Sequence, residues 1–126
     1  MLIIEIESDE QLQQMFGKSK EAPLWIFKHS TRCPISAGAL AEFQAYSKTH
    51  SDDASLQLAL VKVIENRPLS MKIAELTGIE HQSPQAILIR GGKAVWNESH
   101  WEITQATLAQ ALARQAPGAA KSHDER

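Results

Sequence analysis

Cys33 is the single cysteine among 126 residues, and its neighbours decide what chemistry a lone thiol can do there. It follows the apolar run Leu24-Trp25-Ile26-Phe27 and the polar stretch Lys28-His29-Ser30-Thr31-Arg32, and it precedes Pro34-Ile35-Ser36-Ala37, where a helical pattern starts. A thiol at a strand-to-helix junction faces the unpaired N–H groups and partial positive charge of a helix N-terminus. Both favour the thiolate, the form that attacks disulfides. Arg32 adds positive charge beside it, and Pro34 suits the first helical turn because no amide partner is lost there. Ser36 stands three residues on, where a second cysteine would complete a dithiol redox motif. With a hydroxyl at that position no disulfide closes inside the molecule, so a redox cycle must pass through a mixed disulfide with an outside thiol. A thiol stabilised as thiolate is also a good leaving group when a second thiol attacks that mixed disulfide, the property a one-cysteine carrier needs most.

Each of these residues has a plain structural reading as well. A lone cysteine is commonly an inert buried side chain, and a serine near a helix start commonly satisfies backbone donors. In the functional reading the Ser36 hydroxyl donates to the Cys33 thiolate. His29 and His81 are candidate bases, although an ionised thiol hardly needs one. No Cys and His pair has zinc-ligand spacing, so no metal site is expected. Trp25, Trp96 and Trp101 read as core or edge packing, with His100-Trp101 seating the last helix on the sheet. Lys28 and Arg67 read as solvated charges.

The elements that must position the thiol follow from periodicity and turn signals. Leu2 to Ile6 is a short strand, and Ser8 or Asp9 caps a helix carrying Leu12, Met15 and Phe16, ended by Gly17 or Lys18-Ser19-Lys20. Leu24 to Phe27 is a strand apolar on both faces, as in a parallel sheet. Ile35, Ala39, Leu40, Phe43 and Tyr46 share one helical face. Ser51-Asp52-Asp53 is a polar linker, Leu56 to Ile64 a strand, and Asn66-Arg67-Pro68 opens a helix through Leu69, Ile73 and Leu76 that Gly78 closes. Ala86 to Ile89 and Ala94 to Trp96 flank Arg90-Gly91-Gly92-Lys93, a hairpin signal. Thr104 caps a last helix through Leu112. The predicted fold is therefore α/β, a central mixed sheet of about five strands with four flanking helices, parallel at first and antiparallel at its end.

A single domain over residues 1–114 fits the length, with residues 115–126 expected to be a disordered tail. Hydrophobic content of 43% with 22% charged residues is ordinary for a globular protein, and a net charge of -2 leaves no electrostatic footprint for nucleic acid. The N-terminus lacks the basic region of a signal peptide and no segment approaches membrane-spanning length, so a cytoplasmic protein without nucleic-acid or membrane partners is expected.

The thiol at the start of the second helix, together with Ser83-Pro84 just before a hairpin strand, resembles the thioredoxin fold, whose members carry a cis-proline facing the reactive cysteine. Four blocks narrow the resemblance: Lys28 to Ser36, Glu65-Asn66-Arg67-Pro68-Leu69-Ser70, His81-Gln82-Ser83-Pro84-Gln85-Ala86 and Ser99-His100-Trp101-Glu102-Ile103-Thr104. In this order they look like the YtxJ family of monothiol bacilliredoxins, over about Trp25 to Leu112. The resemblance implies that Cys33 removes bacillithiol or a similar small thiol from protein mixed disulfides. No bound cofactor is implied; the small thiol is a co-substrate and the partners are S-thiolated proteins. It further implies a cis bond at Pro84, with Thr31, Ser83, Pro84 and His81 bordering the substrate and the Ser83 backbone open to strand addition. From a different class, the alternative is a redox-silent thioredoxin-fold binding module with Cys33 incidental. A thiol peroxidase is disfavoured, because the residues before Cys33 lack a Pro-x-x-x-Thr-x-x-Cys pattern.

Overall fold

The computed structural model describes residues 3–49 and 55–114. The Ser51-Asp52-Asp53 linker, Leu2 and the 115–126 tail lie outside the described residues. Within them run β1 (Ile4–Glu5), α1 (Asp9–Lys18), β2 (Leu24–His29), α2 (Pro34–Thr49), β3 (Gln57–Lys62), α3 (Arg67–Thr77), β4 (Gln85–Arg90), β5 (Lys93–Ser99), a 3-10 helix (His100–Glu102) and α4 (Gln105–Arg114). The strand order is β1-β3-β2-β4-β5, with β1, β3 and β2 parallel and β4 and β5 antiparallel to their neighbours. This is the α/β architecture the sequence predicts.

Strand alternation divides the core into two layers. Leu24, Ile26, Ala59, Val61, Ile87 and Ile89 face Leu12, Met15 and Phe16 of α1 and Leu69 and Ile73 of α3. Trp25, Phe27, Leu58, Ala86 and Leu88 face Ala39, Phe43 and Tyr46 of α2 and Leu108 and Ala111 of α4. All six residues of β2 are buried, as a central strand covered on both sides requires. On the α2 side the Trp25 indole N–H donates to the Tyr46 hydroxyl at 3.1 Å, which satisfies the one polar atom the ring brings into the core.

Several boundaries differ from the sequence reading. Of the two ends offered for α1, Gly17 is not the stop and Lys18-Ser19-Lys20 is: the helix runs through Lys18 to a cap at Ser19. Ser19 is where tertiary structure intervenes: its carbonyl and hydroxyl accept the N–H groups of Gly91 (3.0 Å) and Gly92 (2.8 Å), tying the end of α1 to the β4–β5 turn. Both glycines have positive φ, 64° and 78°, as a two-residue hairpin loop of this twist needs. β2 extends two residues past Phe27, through Lys28 and His29, because both pair with β3. Conversely β3 stops at Lys62, short of Ile64. Gly78 closes α3 in the left-handed region at φ 72°, and Thr104 caps α4 through reciprocal bonds with Thr107 (Thr107 N–H to Thr104 Oγ1, 3.1 Å; Thr104 N–H to Thr107 Oγ1, 3.0 Å).

Candidate functional site

Cys33 caps α2. Its carbonyl accepts the first helical bond, from Ala37 N–H at 3.1 Å, while its own N–H donates to Ser30 at 3.2 Å. The side chain is half-buried and thus reachable. Because Pro34 has no N–H, the amides that a first turn leaves without an intrahelical partner are those of Ile35 and Ser36, at the position where they favour negative charge. Pro34 is exposed on the rim.

Ser36 departs from its predicted role. It is fully buried, and its hydroxyl accepts Ser30 N–H at 2.9 Å and pairs with His29 Nδ1 at 2.8 Å. Neither partner is Cys33. The third residue of a helix projects back toward the preceding turn, here onto the end of β2, so the hydroxyl meets His29 and Ser30 rather than the thiol. The backbone-satisfying reading of Ser36 describes its observed contacts. His29 stacks on Phe27, and burial pushes its pKa down, with Glu65 opposing and Lys62 adding to the effect; the Ser36 bond opposes it as well.

On the rim, Arg32 is exposed and Thr31 donates its hydroxyl to Glu65 at 2.9 Å. That hydrogen bond is the first cause of a Glu65 pKa below the ordinary value, with Lys62 and Arg32 contributing as positive charges. Arg32 thus acts on Glu65, a residue to which the sequence reading gave no role.

The Ser83–Pro84 peptide bond is cis, as the resemblance implies. Pro84 is buried at the start of β4, at the same end of the sheet as the C-terminus of β2. The Ser83 hydroxyl and His81 Nδ1 are buried atoms without hydrogen-bond partners. The His81 pKa is lowered, by burial first and then by the positive charges of Lys28 and Arg67.

Lys28 is the residue the sequence misplaces most. It is buried, not solvated: alternation puts it with Leu24 and Ile26 on the α1/α3 face, where its ammonium donates to Gln85 Oε1 at 3.3 Å. Burial pushes its pKa down to about 8. The Leu24, Ile26, Lys28 parity was the available signal; it needed the knowledge that β2 runs on to His29. Trp101 also differs, being 75% exposed rather than packed beneath the last helix. Among the described residues no group of three His, Cys, Asp or Glu side chains converges as a metal site would, and no helix is long and apolar enough to cross a membrane.

The family described as Monothiol bacilliredoxin BrxC matches residues 4–108. The chain belongs to the monothiol bacilliredoxin family. Among solved structures, this bacilliredoxin is similar to one described as a candidate oxidoreductase with a thioredoxin fold (34% identity, 87% of this chain and 93% of that one, TM-score 0.79). It also resembles thioredoxins of Fasciola hepatica (16% identity, 89% and 98% covered, TM-score 0.70) and Malassezia sympodialis (17%, 90% and 90%, TM-score 0.72), likenesses that speak to the fold alone. The bacilliredoxin therefore has a thioredoxin fold, and a thiol redox function follows from its family and its one half-exposed, helix-capping cysteine.

Proposed function

We propose that this bacilliredoxin removes bacillithiol, or a closely similar small thiol, from mixed disulfides on other proteins in the cytoplasm. The Cys33 thiolate attacks the small-thiol sulfur of the mixed disulfide; a new disulfide forms between Cys33 and the small thiol, and the protein sulfur leaves as a thiolate. A second small-thiol thiolate then attacks the adduct sulfur, releases Cys33 and leaves as the symmetrical small-thiol disulfide. Electrons balance over the cycle, and no bound cofactor takes part. Thr31, Ser83, Pro84 and His81 border the incoming chain in this reading, and Arg32 and Pro34 shape the rim beside the thiol.

The observation that carries the reading is the placement of Cys33 as the half-exposed cap of α2, with a serine rather than a second cysteine three residues on. Intact-mass spectrometry tests it. Incubated with bacillithiol disulfide, the natural protein should gain one adduct, Ser36→Cys should instead lose two hydrogens as the disulfide is reduced to two small thiols, and Cys33→Ser should do neither. If the natural protein takes up no adduct from bacillithiol, glutathione or coenzyme A disulfides, the exchange reading fails.

A further inference from the structure

Trp101 is 75% exposed, whereas the other exposed large apolar side chains among the described residues, Ile4, Ile64, Met71 and Leu76, reach at most 46%. An indole of this size left open in water leaves roughly 150 Å² of apolar surface uncovered. Its position is built, not loose. His100 N–H donates to the carbonyl of Pro84 at 3.1 Å, Ile103 N–H donates to His100 O at 3.4 Å, and Thr107 Oγ1 donates to Glu102 O at 2.7 Å. These bonds hold the residues on either side of Trp101 while its ring stays outside. His100 itself takes φ 56°, a left-handed conformation unfavourable for an L side chain and the only such non-glycine among the described residues. Strain of that kind persists only where surrounding contacts over-determine it, and here it stands immediately before the exposed indole.

The turn also lies where the chemistry is. Lys28 of β2 pairs with Gln85 of β4, and Gln85 with Ser99 of β5, so the ends leading to Cys33, back to Pro84 and on to Trp101 line one edge of the sheet. The 3-10 helix packs on α2, the helix that Cys33 caps. A polypeptide aligned along Ser83 and Pro84 would thus run beside the indole.

We infer that Trp101 is a docking residue for protein substrates, taking an apolar side chain that flanks the S-thiolated cysteine. This rests on the exchange function proposed above and specifies its substrate class: polypeptides with apolar residues near the modified cysteine, in preference to small disulfides alone. Exposed aromatic anchors beside a fixed backbone edge are the residues that dominate such contacts.

The experiment compares two S-bacillithiolated decapeptides, alike except for leucines or serines two and three residues from the cysteine, with bacillithiol disulfide as a substrate lacking any peptide. The natural protein should accept the adduct from the leucine peptide about tenfold faster than from the serine peptide. W101A should abolish that preference while changing the rate with bacillithiol disulfide less than twofold, and W101Y should retain most of it. Equal slowing of all three substrates in W101A would make Trp101 a structural residue and overturn the inference, as would a natural protein indifferent to the flanks. If the natural protein reacts with none of the three, the exchange function itself falls and the docking role with it, an outcome separate from reaction without preference.

Discussion

Replacing Lys28 by methionine keeps the length of the buried side chain and removes its charge, which makes the energetic role of this lysine measurable. A fall in pKa from 10.5 to about 8 means the folded protein holds the ammonium at a cost of about 3 kcal/mol at neutral pH. Against this, Lys28→Met leaves the buried Gln85 Oε1 without its donor, a loss of about 1–2 kcal/mol. The variant should therefore be more stable at pH 7 by about 1–2 kcal/mol, or about 4–8 °C in Tm for a domain of this size. The sign must change with pH. Below pH 8 lysine is protonated in both states and the native state bears the cost. Between about 8 and 10.5 the unfolded chain holds the proton that the native state has released, so the natural protein gains stability as pH rises through this window. By pH 10 the gain is about 2.5 kcal/mol and the variant should have become the less stable of the two. Urea denaturation of both proteins at pH 7 and pH 10 reads the difference; titrations away from Lys28 cancel between them, and His81, whose pKa Lys28 helps to lower, is the one that differs. A stability difference that stays constant across that range, or a variant already weaker than the natural protein at pH 7, would refute the placement of a buried ammonium against Gln85.

Ser36→Ala strands Ser30 N–H and one nitrogen of His29, so urea denaturation should show a loss of about 1–3 kcal/mol, while the Cys33 alkylation rate with iodoacetamide changes less than twofold because the hydroxyl does not touch the thiol. His29 and His81 both have pKa values lowered in the folded state, so the native protein resists their protonation; stability present above about pH 6.5 should fall as pH drops below that value, and melts of His29→Asn between pH 7 and pH 5 should show a shallower fall than the natural protein. Gly78→Ala places a Cβ at φ 72° with open space around it, so the expected loss is the conformational term alone, about 1–2 kcal/mol in thermal or urea unfolding.

What was legible in the sequence is what local chemistry encodes. Cys33 before Pro34, the Gly91-Gly92 hairpin, the Gly78 stop and the cap at Thr104 each announce themselves through residues that tolerate one backbone conformation or satisfy one set of amides. Lys28 and His29 were not legible in this way, since their burial depends on β2 continuing past the apolar run to pair with β3 and on which helices cover each face. The end of α1 at Lys18-Ser19 was one of the two stops the sequence offered, but the bonds from Ser19 to a turn more than seventy residues away were not, since no local signal states them. The turn at His100 to Glu102 depends on the Pro84 carbonyl, which is distant in sequence, so its exposed tryptophan read as ordinary packing.

Ser36 shows why the one-thiol character is part of the scaffold rather than a missing atom in a dithiol site. Its oxygen joins three pieces at once: the first turn of α2, the Ser30 amide at the end of β2 and the His29 ring beneath them. A sulfur is a weaker acceptor and larger, so Ser36→Cys would loosen the hydrogen bonds that hold the loop from Ser30 to Cys33 even as it supplied a resolving thiol. With the present residues the hydroxyl ties α2 to the end of β2 rather than to the thiol, and in the proposed cycle release of the adduct is left to a thiol from outside.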